Sequence, residues 1–207
     1  MKYFTRTLST AAIIAGLSVS GLSFAMIPTG STVSDMTVVD SNGKTHNLSD
    51  FKGKTVVLEW TNDGCPYVQK HYQTDNMQNL QKSATEDGDT VWLSVVSSAP
   101  GKQGYVSGDE ANALVEKYEA APTAVVLDPE GTMGKAFNAR TTPHMYVIDA
   151  TQTLVYQGAI DDNRSAKHST VEGAKNYVAA ALADIEAGRP VAEAETAPYG
   201  CSVKYKS

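Results

Sequence analysis

Thr55-Val56-Val57-Leu58-Glu59-Trp60-Thr61-Asn62-Asp63-Gly64-Cys65-Pro66-Tyr67-Val68 is the stretch on which the reading of this chain turns. Its first six residues, rich in β-branched and aromatic side chains, read as a largely buried strand. Asn62-Asp63-Gly64 is a turn-forming run that ends it. Pro66 is favoured at a first helical position, where its missing N–H would have had no partner, so a helix is expected from Cys65 with Val68, Tyr72 and Leu80 on its apolar face. A cysteine at such a junction lies among unpaired backbone N–H groups at the positive end of a helix, which favours the thiolate, while the charge of Asp63 opposes it. The expectation is a reactive sulfur presented to solvent at Cys65; the alternative is a small buried apolar residue or half of a structural disulfide.

Upstream, Val38-Val39 and Thr45 to Leu48 flank Ser41-Asn42-Gly43-Lys44, an Asn-Gly hairpin in which both central residues would take positive φ. Downstream, Val91 to Val96 is a second core strand, followed by a Gly/Ser/Pro loop over Ser98 to Gly108. Ser107 and Glu110 form a capping box ahead of Ala111, Leu114, Val115 and Tyr118 at helical spacing. Ala124 to Leu127 is a third core strand, and Met145 to Ile148 with Leu154 to Tyr156 form a second hairpin. Ser169 and Glu172 predict the start of a last helix, with Val171, Val178, Leu182 and Ile185 as its buried stripe and Gly188 and Pro190 as its stop. Val191 to Tyr199 reads as a linker to Gly200-Cys201-Ser202. Strands alternating with helices imply parallel pairing with right-handed crossovers, to which the late hairpin adds antiparallel strands in a mixed α/β sandwich.

The chain of 207 residues is 42% hydrophobic and 19% charged, with 2 Cys, a profile that excludes a disordered chain and a disulfide-stapled miniprotein. Lys and Arg number 17 against 23 Asp and Glu, a net charge of -6 that argues against a nucleic-acid partner. Lys2 and Arg6, the apolar Ala11 to Leu22 and the small-x-small Ser23-Phe24-Ala25 read as a secretory signal peptide over 1–25. Its apolar stretch falls short of the ~20 residues of a spanning helix, so no stable membrane insertion is expected. Cleavage leaves 15 basic against 23 acidic residues, a domain over 26–190 and a tail over 191–207. Export to a periplasm or beyond would place both cysteines where disulfides persist.

Thr141-Thr142-Pro143-His144-Met145-Tyr146-Val147-Ile148-Asp149 and Gly158-Ala159-Ile160-Asp161-Asp162-Asn163 join the Cys65 stretch and Gly200-Cys201-Ser202-Val203-Lys204 as four ordered motifs. Together they resemble the peroxiredoxin-like branch of the alkyl hydroperoxide reductase and thiol-specific antioxidant redoxins. The resemblance implies a thioredoxin-like three-layer sandwich with a central mixed sheet, an N-terminal hairpin and a C-terminal tail. It also implies a cis Pro143 facing the reactive sulfur and a Thr142 backbone that meets a substrate strand or peroxide. In that frame Cys65 attacks a peroxide or a protein disulfide and Cys201 resolves the product, with electrons from an external thiol reductant such as a thioredoxin-like partner. A permanent clamp between the cysteines is the alternative; either link closes a loop of about 136 residues, worth roughly 5 kcal/mol of chain entropy.

The departures from that family are specific. Position 68 is Val, so there is no neighbouring resolving thiol, and the peroxiredoxin Pro and Thr positions are filled by Leu58 and Asn62. Thr61 and Arg140 are the candidates to replace the missing hydroxyl, Arg140 because a guanidinium can stabilise a thiolate and a developing oxyanion. Trp60, Tyr67 and His144 are expected to line the substrate side. No cofactor is expected, since the glycine pattern holds no dinucleotide fingerprint and no flavin or haem motif occurs. No metal is expected either, His46, His71 and His168 lacking zinc-ligand spacing. Two non-peroxidase readings remain: a copper-binding chaperone using Cys65 with His71 or His144, and a non-catalytic interaction domain with a structural disulfide.

Overall fold

The computed structural model describes Met1 and residues 27–206, so the signal-peptide reading falls, Met1 apart, outside the described residues. In chain order the elements are β1 (Thr37–Asp40), β2 (Thr45–Asn47), β3 (Thr55–Trp60), α1 (Pro66–Tyr72), α2 (Asn76–Thr85), β4 (Thr90–Val96), α3 (Gly108–Lys117), β5 (Ala124–Leu127), α4 (Thr132–Ala136), β6 (Thr141–Thr142), β7 (His144–Ile148), β8 (Leu154–Gly158), α5 (Tyr177–Glu186) and β9 (Cys201–Ser202). Every residue of β3 is buried, as its uninterrupted apolar run requires of a strand covered on both faces. It pairs in parallel with β4 and antiparallel with β7, and the sheet runs β2-β1-β5-β4-β3-β7-β8.

Alternation along the strands sends side chains to two different cores. Val57, Trp92, Met145 and Val147 face α1, α2 and α5, while α3 covers the β4–β5 end of that face through Ala111 and Val115. Leu58, Trp60, Leu93, Val126 and Tyr146 face α4, the chain before β1 and the turn at Leu48. Trp60 and Trp92 lie on opposite faces, each without exposed surface. An aromatic of this size buries roughly 150–250 Å², about 4–6 kcal/mol at ~25 cal/mol per Å². The thioredoxin-like three-layer sandwich implied by the sequence is therefore the fold that forms.

Several local expectations are corrected. In the first hairpin only Gly43 takes a positive φ, of 77°. The Asp40 carboxylate accepts from the N–H groups of Asn42 and Lys44 at 2.9 Å each, which holds a wider loop than a two-residue turn. The helix expected through Leu80 breaks into α1 and α2 at Gln73–Asp75, where Asp75 has φ 56°. The Gln78 amide donates to the Tyr72 carbonyl at 2.7 Å, occupying the oxygen that an unbroken helix would have paired. The last helix starts at Tyr177, capped by Asn176, whose side chain accepts from Ala179 N. Lys175 and Asn176 are held outside the helix by the hydrogen bonds that Lys175 makes with Asp162 and the Tyr177 N–H makes with Ile160, so the Ser169 signal is not used. The expected linker Val191–Tyr199 is hydrogen-bonded to β8 through Ala194 and Thr196.

Candidate active site

Cys65 is the N-cap of α1, with Pro66 at the first helical position. Asn62 sets the approach: its carbonyl accepts from Cys65 N at 3.0 Å, its Oδ1 accepts from Gly64 N at 3.0 Å, and its amide donates to Gln103 Oε1 at 2.9 Å. Asp63 turns aside, its carboxylate accepting from the Tyr118 hydroxyl at 2.6 Å and lying 3.6 Å from Lys117 Nζ.

The opposite wall is the loop at the Thr142-Pro143 peptide, which is cis. Cys65 Sγ donates to the Thr142 carbonyl at 3.1 Å. The tail then returns as a strap. Thr142 pairs with Cys201 and Thr141 with Ser202 in a two-stranded antiparallel sheet formed by β6 and β9. Val203 N donates to Arg140 O at 3.0 Å, Ala99 N to Lys204 O at 2.9 Å and Tyr205 Oη to Ala139 O at 2.7 Å. Cys201 Sγ thereby lies 2.6 Å from Cys65 Sγ, both as free thiols. Gly200 makes this crossing possible: it has φ 133°, and a Cβ there would stand 2.0 Å from the Thr142 carbonyl oxygen.

The sulfur is not presented to solvent as expected, since Cys65 has no exposed surface and Cys201 is half-buried beside it. Burial, followed by the neighbouring Cys65, pushes the Cys201 thiol up to about 12. As seated, the Cys201 thiol is protonated, and the strap closes Cys65 off from solvent.

Of the other residues singled out in the sequence, Thr142 and Pro143 are at the site, and Tyr67 is half-buried beside the strap, its ring edge-on to Tyr199 with centroids 5.8 Å apart. Thr142 Oγ1 is buried without a hydrogen-bond partner. Trp60 is corrected: it points into the core on the other face, where its indole N–H donates to Ser97 Oγ at 3.0 Å. His144 is corrected as well. It is buried, its Nδ1 accepts from Arg140 N at 3.2 Å and lies 3.1 Å from Tyr146 Oη, and burial with the Arg140 charge lowers it to about 3, so it is a neutral structural acceptor. The Arg140 side chain is exposed, and what it contributes to the strap is backbone. His71, the other imidazole of the copper reading, is lowered to about 4 by burial and faces Asn76 and Tyr199. Among the described residues no group of three or more His, Cys, Asp or Glu is placed to hold a metal ion.

Two buried polar clusters escaped sequence reading. Glu59, fully buried, accepts from Tyr72 Oη, Trp92 Nε1, Ser94 Oγ and Gln81 Nε2 at 2.8–3.1 Å. Burial raises its carboxyl above the ordinary range even against those hydrogen bonds. Its signal was an acid inside an apolar strand. Lys70, His71, Asp161 and Tyr199 form the second cluster, and nothing in their spacing announced it.

A cysteine capping the helix after a buried parallel strand, set against a cis-proline loop, defines a thioredoxin-like thiol protein. Residues 28–176 match the Redoxin family model, and the chain belongs to that family. It is 26% identical over 129 residues to the thiol-disulfide oxidoreductase ResA of Bacillus subtilis, a match covering 58% of this chain and 72% of ResA. An uncharacterized conserved protein from Geobacillus kaustophilus superposes with a TM-score of 0.74 at 25% identity, over 87% of this chain and 94% of that one. A hypothetical protein from Sinorhizobium meliloti shares the fold, with a TM-score of 0.72 at 20% identity over 88% and 97% of the two chains.

Proposed function

We propose that this chain is an exported thiol-disulfide oxidoreductase in which Cys65 attacks and Cys201 resolves. The observation that carries the reading is the 2.6 Å approach of the two sulfurs at the cis-proline loop; a covalent bond needs only a little more. With the strap lifted, the Cys65 thiolate attacks one sulfur of a substrate disulfide, forming a mixed disulfide and expelling the other sulfur as a thiolate that takes up a proton. Cys201, deprotonated once away from its buried seat, attacks the Cys65 sulfur and releases the second substrate thiol. Two electrons have then passed from the cysteine pair to the substrate, and an external dithiol of thioredoxin-like chemistry restores the pair by the same exchange. Export rests on the charged and apolar start of the sequence, with domain and tail divided near residue 190. No helix among the described residues is long and apolar enough to cross a membrane.

A peroxidase reading of the same sulfur is favoured by one observation, the unpartnered buried hydroxyl of Thr142. There Cys65 would take one peroxide oxygen as sulfenic acid, releasing an alcohol or water, and Cys201 would displace water to give the same disulfide. Reduced protein mixed with one equivalent of either oxidised glutathione or hydrogen peroxide, quenched by alkylation and read by mass spectrometry, separates the two. The expected result is rapid Cys65–Cys201 disulfide with glutathione, a mixed disulfide trapped on Cys65 in Cys201→Ser, and an inert Cys65→Ser. Turnover in Cys65→Ser equal to that of the unaltered chain would overturn the reading.

A further inference from the structure

Two residues before Cys201, the strap buries the Tyr199 side chain, 7% exposed, in a pocket made by ionisable groups cut off from water. Lys70 and His71 come from α1 with no exposed surface, and Asp161, 3% exposed, follows β8. Tyr199 Oη donates to Asp161 Oδ1. Lys70 Nζ donates to Asp161 Oδ2 at 3.2 Å and to the Asn163 carbonyl at 2.9 Å, and stands 3.5 Å from the phenol oxygen; His71 Nε2 stands 3.4 Å from the same oxygen.

A buried ion pair recovers its desolvation cost only when its remaining donors and acceptors are satisfied. The phenol completes this one, so the pocket favours the seated tyrosine over the lifted one by more than ring burial. Tyr199 is joined to Cys201 through Gly200, whose backbone lies against the Thr142 carbonyl with no room for a side chain. Seating the phenol thus determines where the thiol lies.

We infer that Lys70, His71 and Asp161 form a latch for Tyr199, and that closing this latch seats Cys201 on Cys65 and shuts the Thr141–Thr142 edge against any other strand. The inference rests on the reading of Cys65 and Cys201 as a redox pair and adds what governs it. β9 occupies the side of the β6 edge that carries the Thr141–Ser202 and Thr142–Cys201 pairs. With the latch closed, resolution is intramolecular and Cys65 is sealed. With it open, an extended cysteine-bearing segment of another protein can pair with Thr142 and meet Cys65. Tyr199 is a positioning residue that acts through Cys201.

The test uses the full chain with Tyr199→Phe and Tyr199→Ala. A hydrogen bond to a charged group is worth about tenfold or more in such an equilibrium. In glutathione redox buffers the Cys65–Cys201 disulfide should weaken by up to that factor in Tyr199→Phe, the full value applying where only the oxidised pair stays latched, a potential about 30 mV more positive per tenfold, and by more in Tyr199→Ala. In a Cys201→Ser background, adding Tyr199→Phe should speed alkylation of Cys65 by a bulky maleimide about tenfold, a change that lost packing elsewhere would not produce. If the unaltered chain forms no reversible disulfide, the redox reading fails and the latch with it. If that disulfide forms and both variants keep its potential and the Cys65 alkylation rate, the latch alone is overturned. A phenylalanine variant indistinguishable from the parent beside a disturbed alanine variant overturns it too, because ring packing would then account for the seating.

Discussion

Replacing Gly200 by Ala tests the strap crossing with the smallest possible change. The residue sits at φ 133°, and the added methyl would meet the Thr142 carbonyl oxygen at 2.0 Å, the Pro143 nitrogen at 3.3 Å. The backbone conformation alone costs an L-residue about 1–3 kcal/mol, and neither the cis-proline loop nor the strap can yield without breaking β6–β9 pairing. The strap should therefore lift, lowering the population in which the sulfurs meet by about 5- to 150-fold. Quenched alkylation after mixing with oxidised glutathione would report this as slower Cys65–Cys201 closure and a longer-lived mixed disulfide on Cys65. Gly188→Ala is the control: its φ of 65° is also left-handed, but nothing lies within 4 Å of the new methyl. It should lose melting temperature, about 2–4 °C per kcal/mol in a chain of this size, with closure unchanged. Parental closure kinetics in Gly200→Ala would refute the reasoning.

Two further outcomes are expected. Burial holds His144 near 3 and His71 near 4, both below the ordinary 6.5. Depressed pKa values favour the fold above about 6.5, and acidification removes that support, about 2 kcal/mol for each histidine by roughly pH 5. Urea unfolding between neutral and acid pH should show stability falling, less steeply in His144→Gln, and a stability that rises on acidification would contradict the assignment. Thr142→Val removes the orphaned hydroxyl while keeping the carbonyl that faces Cys65. It should leave glutathione exchange intact and stability unchanged or slightly raised; a selective loss of peroxide reactivity would establish the peroxidase reading instead.

Short-range physics made much of this protein legible from its residues. An unbroken apolar run such as Thr55–Trp60 can only be a strand covered twice, a proline after Cys65 can only open a helix, and Ser107 with Glu110 closes a capping box at 2.7 and 3.3 Å as written. The cysteine at a strand–helix junction is such a local pattern, whereas the proline loop and the tail were legible only through their resemblance to the redoxins. What pattern could not decide was which of two local signals wins and which distant segments meet. Ser169 and Asn176 both offer a helix cap, and pairing of residues 175–177 with Ile160 and Asp162 selects the second. Trp60 and Glu59 are adjacent, yet alternation and the covering layers send one to the core on the sheet face opposite the cysteine and the other to a buried polar cluster. The strap was least legible, because a two-residue strand has no period and a thiol 136 residues from its partner leaves no trace in spacing. Only the closed tertiary structure, with Tyr199 seated against Lys70 and Asp161, brings the two sulfurs together.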